Sequence, residues 1–561
     1  MIATPRRTVG MAWIYAGVVG VAVAVIGAVA LAVTSARQAV AQTGPGSPIS
    51  GWKRGAVCYE VFVRSFYDSD GDGIGDLNGL TLKLDYINDG NAASTHDLGA
   101  RCIWVMPVVA SPSYHGYDAT NYYRVNPQYG SNADFKRFTA AAHRRGIKVL
   151  VDMVLNHVSS EHPIFESALM DPRSPYRSWF RWSQTKPDQK GPWGQEVWHK
   201  SPVRDEYYYG VFWDGMPDLN YDTPAVREEA KKIARFWLDS MGVDGFRLDA
   251  VPYLVEEGSQ LAGTAGTHAF LREYETYLRR IAPRAFTVGE VWDSVGAVQA
   301  YYPDQLDSYF TFELSDALID AVRTGSAAKL LDGYLRMQRM EPADRWSPFL
   351  RNHDQTRTMT ALGGDVARAK LAATLLLTLP GLPFVYYGEE IGMTGDKPDP
   401  RIRTPMQWRG GPAAGFTTGL PWEPLQPDTM RVNVAMEDGD QGSLLTRYRR
   451  LIHLRQSNSA LAVGELLPLT TGDSAVTAYL RRDGARSVMV VANLGREAVK
   501  VALGSDGHAL PPGRYMLKPL LGGGLGQALD VGPDGRVGGF QLVLAGETGV
   551  VVEVVSLRPQ G

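Results

Sequence analysis

The chain has 561 residues, 44% of them apolar, and a formal net charge of −3 from 57 basic and 60 acidic side chains. That length and apolar content allow one large barrel-type domain with a smaller companion and exclude wholesale disorder. A near-neutral balance with no Lys/Arg run argues against a nucleic-acid surface, which needs clustered cations to release counterions.

Residues 1–42 read as an export segment outside the fold. Arg6 and Arg7 precede an uncharged stretch from Thr8 to Ala36, and Ala39-Val40-Ala41 is a small-residue cleavage pattern. The stretch is also long enough to span a bilayer, so a cleaved signal peptide and a retained anchor both stay open. Either places the rest of the chain outside the cytosol, with membrane contact only through that segment. Residues 43–50, rich in Gly, Pro and Ser, read as a linker.

From Gly51 onward, continuous apolar runs alternate with amphipathic stretches. Eight runs read as strands buried on both faces: 56–66, 101–109, 147–157, 242–250, 285–292, 306–314, 346–354 and 382–390. Helical patterns cover 132–146, 223–242, 267–281, 365–379 and 443–456. This order predicts a (β/α)8 TIM barrel built from 51–157 and 222–457. Residues 158–221, rich in Pro, Trp, Tyr and Gln, are too long for a structureless loop and read as a small domain inserted after strand 3. Its Trp179, Trp182, Trp193, Trp198 and Trp213 read individually as packing. Residues 458–561 alternate β-rich runs with Gly-rich turns and predict a C-terminal antiparallel β-sandwich. Cys58 and Cys102 open two apolar runs and are expected to be buried free thiols.

Polar residues collect at the C-terminal ends of the strand runs, where barrel enzymes place their sites. The third run ends in Asn156-His157, the fourth carries Arg247 and Asp249, the fifth Glu290, the seventh His353 and Asp354. Carboxylates ending three different apolar strands are costly to desolvate unless they have a partner or a task. Glycosidic chemistry needs such a set, with one carboxyl as nucleophile and another as proton donor. Arg247 lies two residues before Asp249, hence on the same face of a strand, and is expected to favour its ionised form. Like charges near Glu290 are expected to raise its pKa.

The segments DMVLNH (152–157), GFRLDA (245–250), GEVW (289–292) and RNHDQTR (351–357) resemble, in order, the four signature segments of the α-amylase superfamily. The resemblance runs from about Gly51 into the C-terminal sandwich. It implies a retaining mechanism with Asp249 as nucleophile, Glu290 as acid/base and Asp354 as transition-state stabiliser. It also implies a glucose subsite lined by Tyr117, Asp118, His157, Arg247, His353 and Arg357. Asp152 is expected to be buried and structural. MPDLN (216–220) is similar to an intermediate group between oligo-1,6-glucosidase-like enzymes and neopullulanases. Ala250 after the nucleophile is similar to enzymes acting on α-1,4 bonds, whereas Val251-Pro252-Tyr253 departs from endo-acting α-amylases. IRTPMQW (402–408) and GFTTGLPW (415–422) resemble oligosaccharide glucosidases and trehalose synthases. The expected function is therefore α-amylase-type hydrolysis of starch-type glucans and maltooligosaccharides. An exo-acting α-glucosidase, a maltose-converting transglycosylase or trehalose synthase, and a non-catalytic membrane-anchored barrel are the rivals.

Asp68-Ser-Asp70-Gly-Asp72-Gly-Ile74-Gly-Asp76 places carboxylates at every second residue with glycines between, a pattern that wraps oxygens around a hard cation. In the oligo-1,6-glucosidase-like branch such a loop binds calcium. That resemblance implies a structural Ca2+ held by Asp68, Asp70, Asp72, the Ile74 carbonyl and Asp76.

Overall fold

A computed structural model describes residues 51–340, 342–523 and 528–557. The expected export segment and its linker lie outside the described residues. Among the described residues no helix is long and apolar enough to cross a membrane.

Eight parallel strands form the central sheet: β1 (Cys58–Val61), β2 (Cys102–Val105), β3 (Lys148–Met153), β4 (Gly245–Leu248), β5 (Phe286–Gly289), β6 (Ser308–Phe310), β7 (Trp346–Ser347) and β8 (Phe384–Tyr386). Their order is β7-β6-β5-β4-β3-β2-β1-β8, and every paired neighbour is parallel. The seam between β7 and β8 is bridged by the Leu382 and Phe384 amides, which donate to the Trp346 and Pro348 carbonyls at 2.8 Å each. Each of the eight apolar runs contributes one strand, and the sheet is the expected (β/α)8 barrel.

Period-two alternation sorts the strand residues. Tyr59, Val61, Ile103, Val105, Val149, Val151, Phe246 and Leu248 pack outward into the main core beneath the helices. Cys58, Cys102, Trp104, Leu150, Phe286, Val288, Phe310 and Phe384 form a separate cluster inside the barrel. The same alternation, carried one step up, puts Glu60, Asp152, Arg247 and Glu290 above that apolar floor. Gly245 is required where β4 meets β5, because a Cβ there would lie 1.9 Å from the Phe286 carbonyl oxygen.

The expected thiols are instead a disulfide, Cys58–Cys102, with the Cα atoms 4.3 Å apart. Both residues point into the barrel and stand opposite each other in the β1–β2 register. That places them within bridging distance, which their positions in the sequence alone do not specify.

The predicted helices are present at Asn132–Arg144, Pro224–Arg235, Ala265–Ile281, Val366–Thr378 and Leu444–Ser457. The first is opened by a reciprocal Ser131/Asp134 capping box. The helices Phe312–Thr324 and Ala328–Met340 carried no separate signal in the sequence. Between β3 and Pro224 lie a helix, Pro163–Met170, and a three-stranded antiparallel sheet of Trp182–Ser183, Tyr207–Tyr209 and Trp198–Lys200. Past the last barrel helix, a six-stranded antiparallel sheet and a two-stranded one, Val499–Leu503 with Phe540–Leu544, share an apolar core. This is the expected C-terminal β-sandwich.

Candidate active site

Arg247 organises the mouth of the barrel. Its guanidinium is 1% exposed and reaches three carboxylates, each from a different part of the rim. Nη1 donates to Asp152 Oδ1 at 2.8 Å and to Asp249 Oδ1 at 2.5 Å, and Nη2 lies 2.9 Å from Glu290 Oε2. Trp104 and Tyr117 cover the cation with their ring faces. The chain turns sharply after Asp249, with Ala250 at φ 48°, and the Ala250 amide donates to Glu290 Oε2 at 3.1 Å.

A second cluster faces the first. His353 Nδ1 lies 2.5 Å from Glu60 Oε1, and its Nε2 lies 3.0 Å from Asp354 Oδ2 and 2.6 Å from the Tyr117 hydroxyl. The Tyr117 hydroxyl donates to Asp152 Oδ2 at 3.1 Å, tying the clusters together. Arg403 Nη2 donates to Asp354 Oδ1 at 2.8 Å and to Asp399 Oδ2 at 3.2 Å, and its Nε donates to the His353 carbonyl. His157 sets its Nε2 against the Tyr117 carbonyl at 3.1 Å. Asp118 accepts from Ser111 at 2.5 Å and from Ser113, with His115 beside it.

The electrostatics separate the carboxyls. Burial raises Asp249 to about 6; Arg247 opposes the rise and Asp152 adds to it. Arg247 favours the ionised form of Asp249, as expected, but desolvation outweighs one shared cation. Burial also raises Glu290 to about 7, again against Arg247, with Asp249 and Asp354 pushing the same way as burial. For Asp354 burial is overcome: His353, Arg403 and Arg247 together hold it well below the ordinary range. Burial alone would lower His353, but Asp354 and Glu60 raise it to about 9. Burial lowers His157 to about 3, so it is neutral.

Of the residues predicted to line the site, Arg357 is placed elsewhere. Its side chain is buried, donates to the Ile402 and Tyr387 carbonyls at 2.8 and 2.7 Å, and lies over the Tyr386 and Tyr387 rings. It braces the backbone just before Arg403, and Arg403 is the arginine that reaches Asp354. Sequence reasoning missed Arg403 and Glu60. Arg403 stands inside IRTPMQW, and Glu60 is the one charge in the first apolar strand. Glu389 and Glu390 are structural: Thr358 and Tyr448 donate to the first, Tyr59 and Tyr86 to the second.

In the Asp/Gly loop, Asp68, Asp70 and Asp76 each offer an oxygen within 4.8 Å of the others. Asp72 falls outside this group, and its carboxylate accepts from the Ile74 amide at 2.7 Å. Hydrogen bonding from the Asp72 amide lowers the Asp70 pKa, but burial and the charges of Asp72, Asp68 and Asp76 together raise it. Crowded hard oxygens of this kind suit a divalent cation. Gly73 is required here, with φ +95° and room for a Cβ only 2.0 Å from the Leu420 carbonyl. Thr417 donates to Asp68, the Trp422 amide donates to the Gly73 carbonyl, and the Trp422 ring stacks on Tyr114. The loop thus buttresses the wall that carries Tyr117 and Asp118.

A closed parallel barrel whose rim holds paired carboxyls on one buried guanidinium, beside a third carboxylate kept ionised, defines a glycoside hydrolase. The alpha amylase catalytic-domain model matches residues 60–464. Alpha-amylase 3 of Dictyoglomus thermophilum is 40% identical over 79% of this chain and 86% of its own length. A trehalose synthase/amylase of Mycolicibacterium smegmatis is 35% identical over 79% and 84%, and an oligo-1,6-glucosidase of Parageobacillus thermoglucosidasius 32% over 80% and 91%. The crystal structure of the alpha-amylase from H. orenii superimposes with a TM-score of 0.77 at 38% identity, covering 89% of this chain and 99% of that one. The chain belongs to the alpha-amylase family, and its relatives are consistent with a place in the intermediate group.

Proposed function

We propose that this glycoside hydrolase cleaves α-1,4-glucosidic bonds in starch-type glucans and maltooligosaccharides with retention, through a covalent glycosyl-enzyme. The observation that carries the reading is the shared Arg247 guanidinium, with Asp249 and Glu290 at staggered pKa values of about 6 and about 7. Between those values Asp249 is ionised and attacks the anomeric carbon, while Glu290 is protonated and delivers its proton to the leaving oxygen. Glu290 then takes the proton of the water that releases the sugar. One guanidinium touching both carboxyls suits the spacing of about 5–5.5 Å in retaining enzymes better than the about 6.5–9.5 Å of inverting ones. Asp354, ionised beside His353 and Arg403, stabilises positive charge developing on the ring. Tyr117, Asp118, His157 and His353 hold the attacked glucose. Ala250 and the D. thermophilum relative favour α-1,4 bonds.

Asp68, Asp70 and Asp76 would hold a structural Ca2+, which would neutralise their mutual repulsion and stiffen the loop behind Tyr114. The Cys58–Cys102 bridge agrees with export to an oxidising compartment. The test is product analysis with soluble starch, maltotriose, isomaltose and maltose, using Asp249→Asn as control. Mixed maltooligosaccharides from starch are expected. Glucose alone would replace the reading with an exo-glucosidase, trehalose from maltose with a trehalose synthase, and full activity in Asp249→Asn would remove the nucleophile assignment.

A further inference from the structure

Trp193 is 63% exposed, unusual for the largest apolar side chain, yet its backbone is tightly held. It sits at the tip of a tight hairpin in the inserted segment. The hairpin is closed by the Gly191 amide donating to the Gln195 carbonyl at 2.8 Å and the Gly194 amide to the Gly191 carbonyl at 2.9 Å. Gln195 accepts from the Trp193 amide at 3.0 Å and donates to the Val211 carbonyl at 2.7 Å, pinning the tip to the body of the insertion. The ring stacks on Phe212 at 5.7 Å with an interplanar angle of 27°, and lies 5.8 Å from Tyr253.

These rings lead inward. Phe212 meets His157 edge to face at 5.2 Å, at the border of the pocket for the attacked glucose. Tyr253 belongs to the turn that follows Asp249; its amide donates to the Ala250 carbonyl, and the Ala250 amide holds Glu290. This turn sets Tyr253 on the acid/base side, and burial with the charges of Glu290 and Asp293 raises its hydroxyl pKa. The group receiving the proton of Glu290 is the departing sugar, so that side is where the rest of the chain must leave the pocket.

We infer that Trp193, backed by Phe212 and Tyr253, is a platform for a glucose ring of the leaving-group chain beyond the scissile bond. Its ring offers a rigid apolar face to the C–H surface of a sugar, at low conformational cost. The platform rests on the proposed α-glucan reading, and it makes this rim selective for oligosaccharides over disaccharides.

The experiment uses the full chain and two readouts. In turnover, Trp193→Ala is expected to lower the ratio of kcat/KM for maltoheptaose to kcat/KM for maltose by about tenfold, and Trp193→Phe to recover most of it. In binding, calorimetric titration of maltoheptaose into Asp249→Asn is compared with the Asp249→Asn/Trp193→Ala double variant, where Kd is expected to rise by a similar factor. An unchanged ratio with an unchanged Kd overturns the platform. So does a loss that Trp193→Phe fails to recover, since it assigns the effect to the shape of the hairpin. Binding needs no turnover, so failure of the catalytic reading, seen as full activity in Asp249→Asn, is distinguishable from failure of the platform.

Discussion

Replacing Arg247 with Met removes the cation and keeps most of the volume. The wild-type guanidinium lies 2.5 to 2.9 Å from Asp152, Asp249 and Glu290, so all three lose their shared counter-charge at once. A unit charge at about 4 Å contributes about 4 kcal/mol at an effective dielectric of about 20. That corresponds to a rise of about three pKa units, or two to three after relaxation of the site. Asp249 would then move from about 6 to between about 8 and about 9. At pH 6.5 its ionised fraction would fall from about three quarters to about one hundredth, so kcat/KM should drop about a hundredfold there. The acid limb of the pH–rate profile should move up by the same two to three units, and part of the activity should return near pH 9. Stability has a definite sign too. In the variant the folded carboxyl pKa values stand further above the unfolded ones, so the folded state binds more protons between them. The stability gap from wild type should widen as pH rises from 5 to 8, reaching about 3–5 kcal/mol in urea titrations. An acid limb that stays near pH 6 in Arg247→Met, with a stability gap independent of pH, would refute the electrostatic account of the site.

For the wild type, Asp249 at about 6 and Glu290 at about 7 predict a narrow bell, with activity failing below the first as the nucleophile protonates and above the second as the acid loses its proton. Glu290→Gln, assayed on an aryl α-glucoside whose leaving group needs no proton, should keep the acid limb and lose the alkaline one; a persistent alkaline limb would reassign the acid. Chelator should lower the unfolding midpoint of the wild type by several degrees, by the about 2.7 kcal/mol that ligand at about a hundred times Kd contributes, and should leave Asp70→Asn unmoved; equal shifts in both would count against the loop as the metal site. Removing the disulfide with Cys58→Ser/Cys102→Ser opens a loop of 44 residues and should cost about 4 kcal/mol on the chain-entropy model, read from urea midpoints with and without reductant. Two reactive thiols in the unfolded, unreduced protein would show instead that the bridge does not form.

What could be read from the sequence followed periodicity. All eight barrel strands lie within runs whose continuous apolar character marks strands buried on both faces, and helices with a clear polar stripe were found with their ends nearly right. Phe312–Thr324 was hidden because its first turn is part of the apolar run 306–314, so a strand and the helix after it share one uninterrupted signal. The cysteine pair was misread for a different reason. Cys58 and Cys102 were recognised as opening neighbouring strands, but bonding depends on register, and only the paired sheet puts them opposite each other. The two arginines make the same point at the rim. Arg357 lies three residues from Asp354 yet turns into the protein, and Arg403, 49 residues away, delivers the contact. Proximity along a loop carries little information about direction once the chain leaves regular structure.

The charges of the site were the least accessible part, because they depend on burial as well as on neighbours. Sequence spacing correctly brought Arg247 and Asp249 together at the end of β4. It could not show that the same guanidinium also serves Asp152 and Glu290, or that all four groups sit above a floor of Trp104, Leu150, Phe286 and Phe310. One cation shared among three buried carboxyls cannot hold each of them at an ordinary pKa, so protons are retained on the group with the weaker compensation. Asp354 escapes this because two further cations, His353 and Arg403, reach it directly. The division of roles therefore follows from an unequal distribution of positive charge at the barrel mouth: well-compensated Asp354 stays ionised, Asp249 ionises near pH 6, and Glu290 keeps its proton longest. Removing a cation, as in Arg247→Met, should change which pH the enzyme works at before it changes what the enzyme does.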